Sequence, residues 1–247
     1  MSDISTTTSP KQLKIHSRDE IWKMFNAISK TYDRTNRCIT MGLDLYWRKK
    51  MAKFLPKRNR LCLLDCATGT GDQIISLMKH SSSITEAFGV DLSEEMLSIA
   101  QTKIKKKSFR SKVHLKKASV LDLPFPEDAF DCITLSFGIR NVVDVHLCLE
   151  EMLRVLRPKG KLLILETSLP QGKLLKRLHL FYIRKILPRI GGWVSQKKHA
   201  YKYLNETAET FPYGASFCQL LQKTGFIHVE CHPLTFGAVS IYVAEKN

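Results

Sequence analysis

Asp65-Cys66-Ala67-Thr68-Gly69-Thr70-Gly71-Asp72 follows an apolar run at 61–64 and opens a segment at 74–78 that starts with helical spacing. A strand, a tight glycine turn and a helix N-terminus let backbone N–H groups come close to a nucleotide-like ligand. Twenty residues beyond Gly71, the short apolar run 87–90 ends in Asp91. An acid in that place accepts hydrogen bonds from both hydroxyls of a ribose. Together the two features describe a site for an adenosine-bearing cofactor. A glycine turn that merely joins strand to helix is the bland alternative, and it leaves Asp91 unexplained.

The loop also discriminates among such cofactors. A dinucleotide fingerprint needs a third glycine where this chain has Ile74, and a phosphate loop needs G-x-x-x-x-G-K-[ST], which is absent. Asp65 would repel a pyrophosphate and suits a cofactor with an amino-acid moiety. S-adenosylmethionine, with its sulfonium, ammonium, carboxylate and ribose diol, meets these conditions.

Apolar runs then alternate with helical periodicity. Strands are expected at 61–66, 87–90, 113–117, 130–136 and 161–167, with helices at 72–80, 93–106 and 145–156 between them. This order predicts an α/β fold, a parallel sheet with helices on both faces. Two further strands, 226–232 and 236–245, are joined so closely that they must run antiparallel. Ahead of the sheet, residues 18–55 read as a helical N-terminal cap that doubles as a lid, with Tyr32-Asp33 interrupting the helical pattern.

A chain of 247 residues suits one large domain. Residues 18–247 are expected to form it, after a disordered Ser/Thr/Lys-rich tail at 1–17 that lacks the apolar segment of a signal peptide. No run of eighteen apolar residues predicts a transmembrane helix. Seven cysteines without a Cys-x-x-Cys pair point to reduced thiols and a cytoplasmic location. His228, Cys231 and His232 sit on an alternating pattern with no second ligand pair, so a structural role is expected and no metal.

The net charge of +16 calls for an acidic partner or a solvated basic face. Residues 170–205, expected as a substrate-side insertion, carry nine lysines and arginines and no acid, interleaved with large apolar residues. Helical spacing places Lys173, Arg177 and Arg184 opposite a stripe of Leu175, Leu178, Tyr182 and Ile186. Such a helix can lie on an anionic bilayer, cover an apolar pocket, or simply pack on a core. Nucleic acid is the other partner of a basic surface. The loop after the fourth strand, Ser136-Phe137-Gly138-Ile139-Arg140-Asn141, argues against the two commonest chemistries of nucleic-acid methylation, having neither an [DN]-P-P-[YF] grip for an adenine amine nor a Pro-Cys nucleophile for cytosine C5.

Several segments resemble the UbiE/MenG family of ubiquinone and menaquinone C-methyltransferases. They are FNAISKTYDRTN (25–36), MGLDLYWRK (41–49), LLDCATGTGD (63–72), GVDLSEEML (89–97), LPFPEDAFDCITLSFGIRNVVD (123–144), MLRVLRPKGKLLILETSLP (152–170), YKYLNETAETFP (201–212) and the terminal GFIHVECHPLTFGAVSIYVAEK. The glycine loop and LRPKGKLLILE occur in many methyltransferases, whereas SFGIRNV, the N-terminal Tyr-Asp-x-x-Asn and the later Tyr-x-Tyr-Leu are specific. Ser119-Val120 stands where the family often has an acid or amide followed by Ala, and Lys197-Lys198 and Glu206-Thr207-Ala208 also depart from its pattern.

The resemblance implies a Rossmann-like class I S-adenosylmethionine-dependent methyltransferase, a mostly parallel seven-stranded sheet with an antiparallel C-terminal strand. It implies a cofactor site at Asp65, Gly69, Thr70, Gly71, Asp91, Leu92, Ser119, Val120 and Ser136. It also implies transfer of a methyl group to a ring carbon of a prenylated quinol. Arg140 is then expected to favour the phenoxide or position a water, Asn141 to orient the hydroxyl, and Tyr201, with Tyr32 and Asp33, to close over the ring. Demethylmenaquinol is the expected acceptor. The benzoquinol of the ubiquinone pathway, another small apolar acceptor, and a basic RNA-binding protein on the same scaffold are the rivals. Contact with the inner membrane face is expected to be peripheral.

Overall fold

The sequence LCLLDC of β1 (Leu61–Cys66) is buried almost end to end, as a strand covered on both faces must be. The structure, a computed structural model, describes residues 18–187, 189 and 207–247. β1 pairs in parallel with β2 (Ile84–Asp91) on one side and with β4 (Phe130–Ser136) on the other. β3 (Val113–Lys117) lies beyond β2, and β5 (Leu156–Thr167) beyond β4. β7 (Val239–Glu245) runs antiparallel to β5 and to the edge strand β6 (Ile227–Leu234), which gives the order β3-β2-β1-β4-β5-β7-β6.

Alternate residues feed two apolar layers. Leu64, Ile133, Ile164 and Tyr242 join one layer with α5 (Val145–Val155) and α7 (Ala215–Thr224). Leu63, Cys132, Leu163 and Val243 join the other with α2 (Leu43–Met51), α3 (Asp72–His80) and α4 (Glu94–Lys105). The helix spacing seen in the sequence is therefore real on both faces.

Four expectations shift. Tyr32-Asp33 does not interrupt a helix, because α1 (Arg18–Thr40) runs through it. Tyr32 packs edge-on against Phe25, and Asp33 faces the glycine loop, so the break in apolar spacing marks a contact and not an end. β5 begins earlier than expected because Leu156 already pairs with Phe130; the chain then bulges around Pro158 before Lys161 resumes pairing with Cys132. The C-terminal hairpin turns at Thr235, Phe236 and Gly237, all at positive φ, which delays β7 to Val239 and lets β6 run on through Pro233. Proline is tolerated there because β6 is an edge strand. Finally, after α6 (Lys173–Phe181) a π-helical turn, Tyr182–Ile186, shifts the phase of the expected stripe: Tyr182 and Ile186 are half-buried but Leu175 and Leu178 face solvent. The tail at 1–17, Lys197-Lys198, Tyr201 and Glu206 lie outside the described residues.

Candidate functional site

β1 sits where the strand order reverses, and open α/β sheets bind ligands outside the carboxyl ends of the strands at that point. Two loops meet there. A Cβ on Gly138 would come within 2.9 Å of the Ala67 Cβ. Ala67 and Phe137, each directly after its strand, have φ of 50° and 57°, left-handed conformations that cost energy for residues with a side chain. Gly69 and Gly71 (φ 55° and 77°) adopt similar conformations without that cost.

Three cavities surround this junction. The first, with ≈ 860 Å³ of empty space, is bordered by Gly69, Asp91, Leu92, Ser119, Val120 and Ser136, and closed by Phe25, Tyr32 and Asn141. At its floor the Asp91 carboxylate accepts from Gly69 N (2.8 Å) with one oxygen and from Ser93 N (2.9 Å) with the other. Burial pushes this carboxyl above its ordinary range, with the backbone N–H groups of Ser93, Gly69 and Leu92 pulling the other way. Three backbone donors leave the carboxylate some acceptor capacity to spare.

The second cavity, ≈ 290 Å³, is polar and includes Asp65, Thr70, Asp72 and Gln73. Asp65 is 1% exposed and accepts from the hydroxyls of Thr134 (2.6 Å) and Thr68 (2.7 Å). Burial nevertheless raises its carboxyl to about 6. Thr70 donates to Asp33 of α1 (2.6 Å), and Lys103 of α4 bonds Asp33 (2.9 Å), Thr70 (3.2 Å) and Asp72. Arg37 continues the chain to Asp72 (2.5 Å) and Asp44. Burial pulls Asp72 up, yet Lys103, Arg48 and Arg37 together hold it below its usual value. α1 is thereby strapped across the glycine loop. Gly71 borders none of the described cavities; it caps the N-terminus of α3.

The third cavity, ≈ 970 Å³, lies between α1, α2, the end of β5 and α6, with Trp47, Arg140, His179, Tyr182 and Leu187 in its wall. Tyr32 borders all three cavities. Arg140 is ion-paired with Glu166, at side-chain exposures of 9% and 1%. Glu166 also accepts from Thr167 N (2.7 Å). The second carboxylate oxygen of Glu166 and the Nε of Arg140 have no partner, nor has the buried side-chain oxygen of Asn141. Arg140 and Asn141, neighbours on one 3₁₀ turn, Ile139–Asn141, thus serve different cavities.

Comparison with known proteins agrees with this arrangement. Residues 12–246 match the ubiE/COQ5 methyltransferase family. A ubiquinone/menaquinone biosynthesis C-methyltransferase UbiE from Geotalea daltonii is 39% identical over 231 residues, spanning 92% of this chain and 97% of the relative. The chain belongs to the ubiE/COQ5 family. Another relative, demethylmenaquinone methyltransferase of Bacteroides fragilis, is 34% identical over 96% of this chain and 98% of its own. Among solved structures, SAM-dependent methyltransferases from Thermotoga maritima (TM-score 0.64, 20% identity, 92% of this chain and 100% of that one) and Aquifex aeolicus (0.58, 19%, 82% and 90%) share the fold.

For this ubiE/COQ5 member, the structure gathers Asp65, Gly69, Thr70, Asp91, Leu92, Ser119, Val120 and Ser136 around the first two cavities. It separates Arg140 from them, and it supplies residues that the motifs did not indicate. Glu166, the penultimate residue of β5, is one of them, buried against Arg140. Trp47 and Arg48 lie in the 41–49 segment but received no role from it, and Gln73 directly follows the glycine-loop segment. Gln73 accepts from the Ser136 hydroxyl (3.0 Å), and Arg48 lies over the Phe137 ring at 5.3 Å. His232, one of the candidate metal ligands, stacks on Phe54 at 4.5 Å and bonds Glu230.

Proposed function

We propose that this protein is an S-adenosylmethionine-dependent C-methyltransferase that converts demethylmenaquinol to menaquinol, with the benzoquinol of the ubiquinone pathway as the alternative acceptor. The observation that carries this is the contiguity of the three cavities: an adenosine-sized chamber floored by Asp91, a polar chamber at Asp65 and Thr70, and a larger, mainly apolar chamber at Arg140, all bordered by Tyr32. The relatives named for menaquinone and for joint ubiquinone/menaquinone synthesis support the same class of acceptor.

The residues fit the cofactor. Asp91 borders the first cavity with acceptor capacity left for a ribose hydroxyl, Asp65 lends negative charge where an ammonium would lie, and Ser119 and Val120 border the adenosine side. When bound, S-adenosylmethionine supplies a methyl group on a sulfonium, open to in-line attack by carbon. Arg140, its guanidinium fixed by Glu166, donates toward the acceptor cavity and favours the phenoxide form of a quinol hydroxyl, which makes the adjacent ring carbon nucleophilic. The ring proton then leaves to water. Asn141 orients ligand from the cofactor side. We place the enzyme in the cytoplasm and in peripheral contact with the membrane that stores its acceptor; among the described residues no helix is long and apolar enough to cross a bilayer.

The test is an assay of purified protein with methyl-labelled S-adenosylmethionine and either quinol. Label in the naphthoquinol product is the expected result. Label in neither product, with the cofactor bound, would sink the acceptor assignment.

A further inference from the structure

α6 is a helix with no buried residue, although half of it is apolar. On its body side Lys176 reaches the Tyr213 hydroxyl (3.5 Å), and His179 borders the acceptor cavity. Leu174, Leu178 and Phe181, at i, i+4 and i+7, form a single stripe on the far side, 70%, 58% and 58% exposed. A core-packing helix would turn such a stripe inward. Lys173 and Arg177 lie along one flank of it, and residues 170–187 contain no acid.

Two other segments carry large exposed apolar side chains next to residues of the same cavity's wall. Met41, 78% exposed, directly follows Ile39 and Thr40 of the cavity wall, and the Tyr182 hydroxyl donates to Ile39 O, tying the end of α1 to the segment after α6. Phe236, 81% exposed, sits in the hairpin turn where Thr235 accepts from Trp47 Nε1 (2.8 Å) and Gly237 abuts Pro170, close to the start of α6. Met41 and Phe236 have φ of 51° and 57°. Bulky residues are thus held in a costly backbone conformation while their side chains gain no packing from the fold.

We infer that α6, Met41 and Phe236 form a bilayer-docking rim around the acceptor cavity, seated on anionic headgroups through Lys173 and Arg177, so that a prenyl tail passes from the lipid directly into the cavity. The apolar stripe enters the headgroup–acyl boundary while the basic flank meets lipid phosphates, the mode of an interfacial helix and not of a spanning one. The tail's route rests on the quinol reading; the docking does not.

Co-sedimentation with vesicles tests it. The protein should pellet with phosphatidylcholine vesicles containing a third phosphatidylglycerol and much less with phosphatidylcholine alone. Lys173→Gln/Arg177→Gln should weaken the anionic partition on the order of tenfold. The triple variant Leu174→Glu/Leu178→Glu/Phe181→Glu should abolish it, while its cofactor binding by calorimetry matches wild type, since these residues border none of the described cavities. Wild-type protein that stays in the supernatant, or a triple variant that pellets like wild type, overturns the proposal. So does a triple variant whose mass by light scattering falls to half, which would make the face a contact between two copies. Protein that pellets as expected yet methylates no quinol leaves the docking intact and refutes the acceptor. Undiminished methylation of vesicle-borne long-tailed quinol by the triple variant refutes the tail's route.

Discussion

Asp65 is kept at a loss in the free protein, since Arg48 nearby offsets only part of the cost of its burial. Its carboxyl, raised by burial to about 6 from an ordinary value of 3.8, stays protonated in the folded chain at pH values where the unfolded chain has already ionised it. Stability therefore falls as pH rises from about 4 to about 6 and carries a cost of about 3 kcal/mol at neutral pH. Asp65→Asn should raise the melting temperature of the free protein at pH 7.5 and flatten that pH dependence. The same change should weaken S-adenosylmethionine binding at least tenfold by calorimetry. Wild-type affinity should itself decline as pH drops through about 6, because the protonated acid no longer attracts an ammonium. The Arg140–Glu166 pair invites a different comparison. Breaking a buried pair from one side leaves an uncompensated charge, so Glu166→Ala should cost about 3–5 kcal/mol in urea unfolding. Arg140→Met/Glu166→Leu should recover most of that stability and none of the methyl transfer. Recovery of turnover in the double variant would remove the pair from the chemistry. The Arg140-Asn141 motif was readable because it ends a strand in a recognisable loop. Glu166 was not, since nothing in its apolar neighbours reveals a partner twenty-six residues away.

The central strands were legible because burial on both faces writes an uninterrupted apolar run into β1 and β4. α1 was harder to read, because besides the small apolar cluster around Ile28 its polar face contacts a loop. Asp33 in the middle of a helix looks like a break in the pattern; only the positions of Thr70 and Lys103 explain it. The C-terminal hairpin was placed correctly but its ends were not, since positive φ at Thr235 and Phe236 has no glycine signature. The strap over the glycine loop is the element-level device to test. Lys103→Gln removes the cation shared by Asp33, Thr70 and Asp72. Amide exchange in α1 should accelerate while β1 stays protected, and cofactor affinity should fall several-fold. Asp72, held low largely by Lys103, contributes stability above the ordinary carboxylate range that is lost as acid protonates it. In the variant that loss should move to higher pH, visible as an earlier acid unfolding transition.

At the scale of the molecule, a ligand that bridges strand ends and α1 should stabilise the whole. S-adenosylmethionine at a hundred times its Kd adds about 2.7 kcal/mol, or a melting shift of roughly 5–10 °C for a chain of this size. Scanning fluorimetry measures it, and single-stranded RNA at low salt serves as the control for the basic surface. A shift with RNA alone would favour the nucleic-acid rival that the net charge of +16 keeps in view. The overall architecture followed from strand and helix alternation, but the division of labour at its upper edge did not. Because consecutive residues of one short turn look into separate chambers, a change that widens the room for a new acceptor through that turn also disturbs the donor's seat. Drift toward other ring systems is therefore channelled into walls outside the donor's cavities, those of the segment after α6, where variants can accumulate without forfeiting the methyl source.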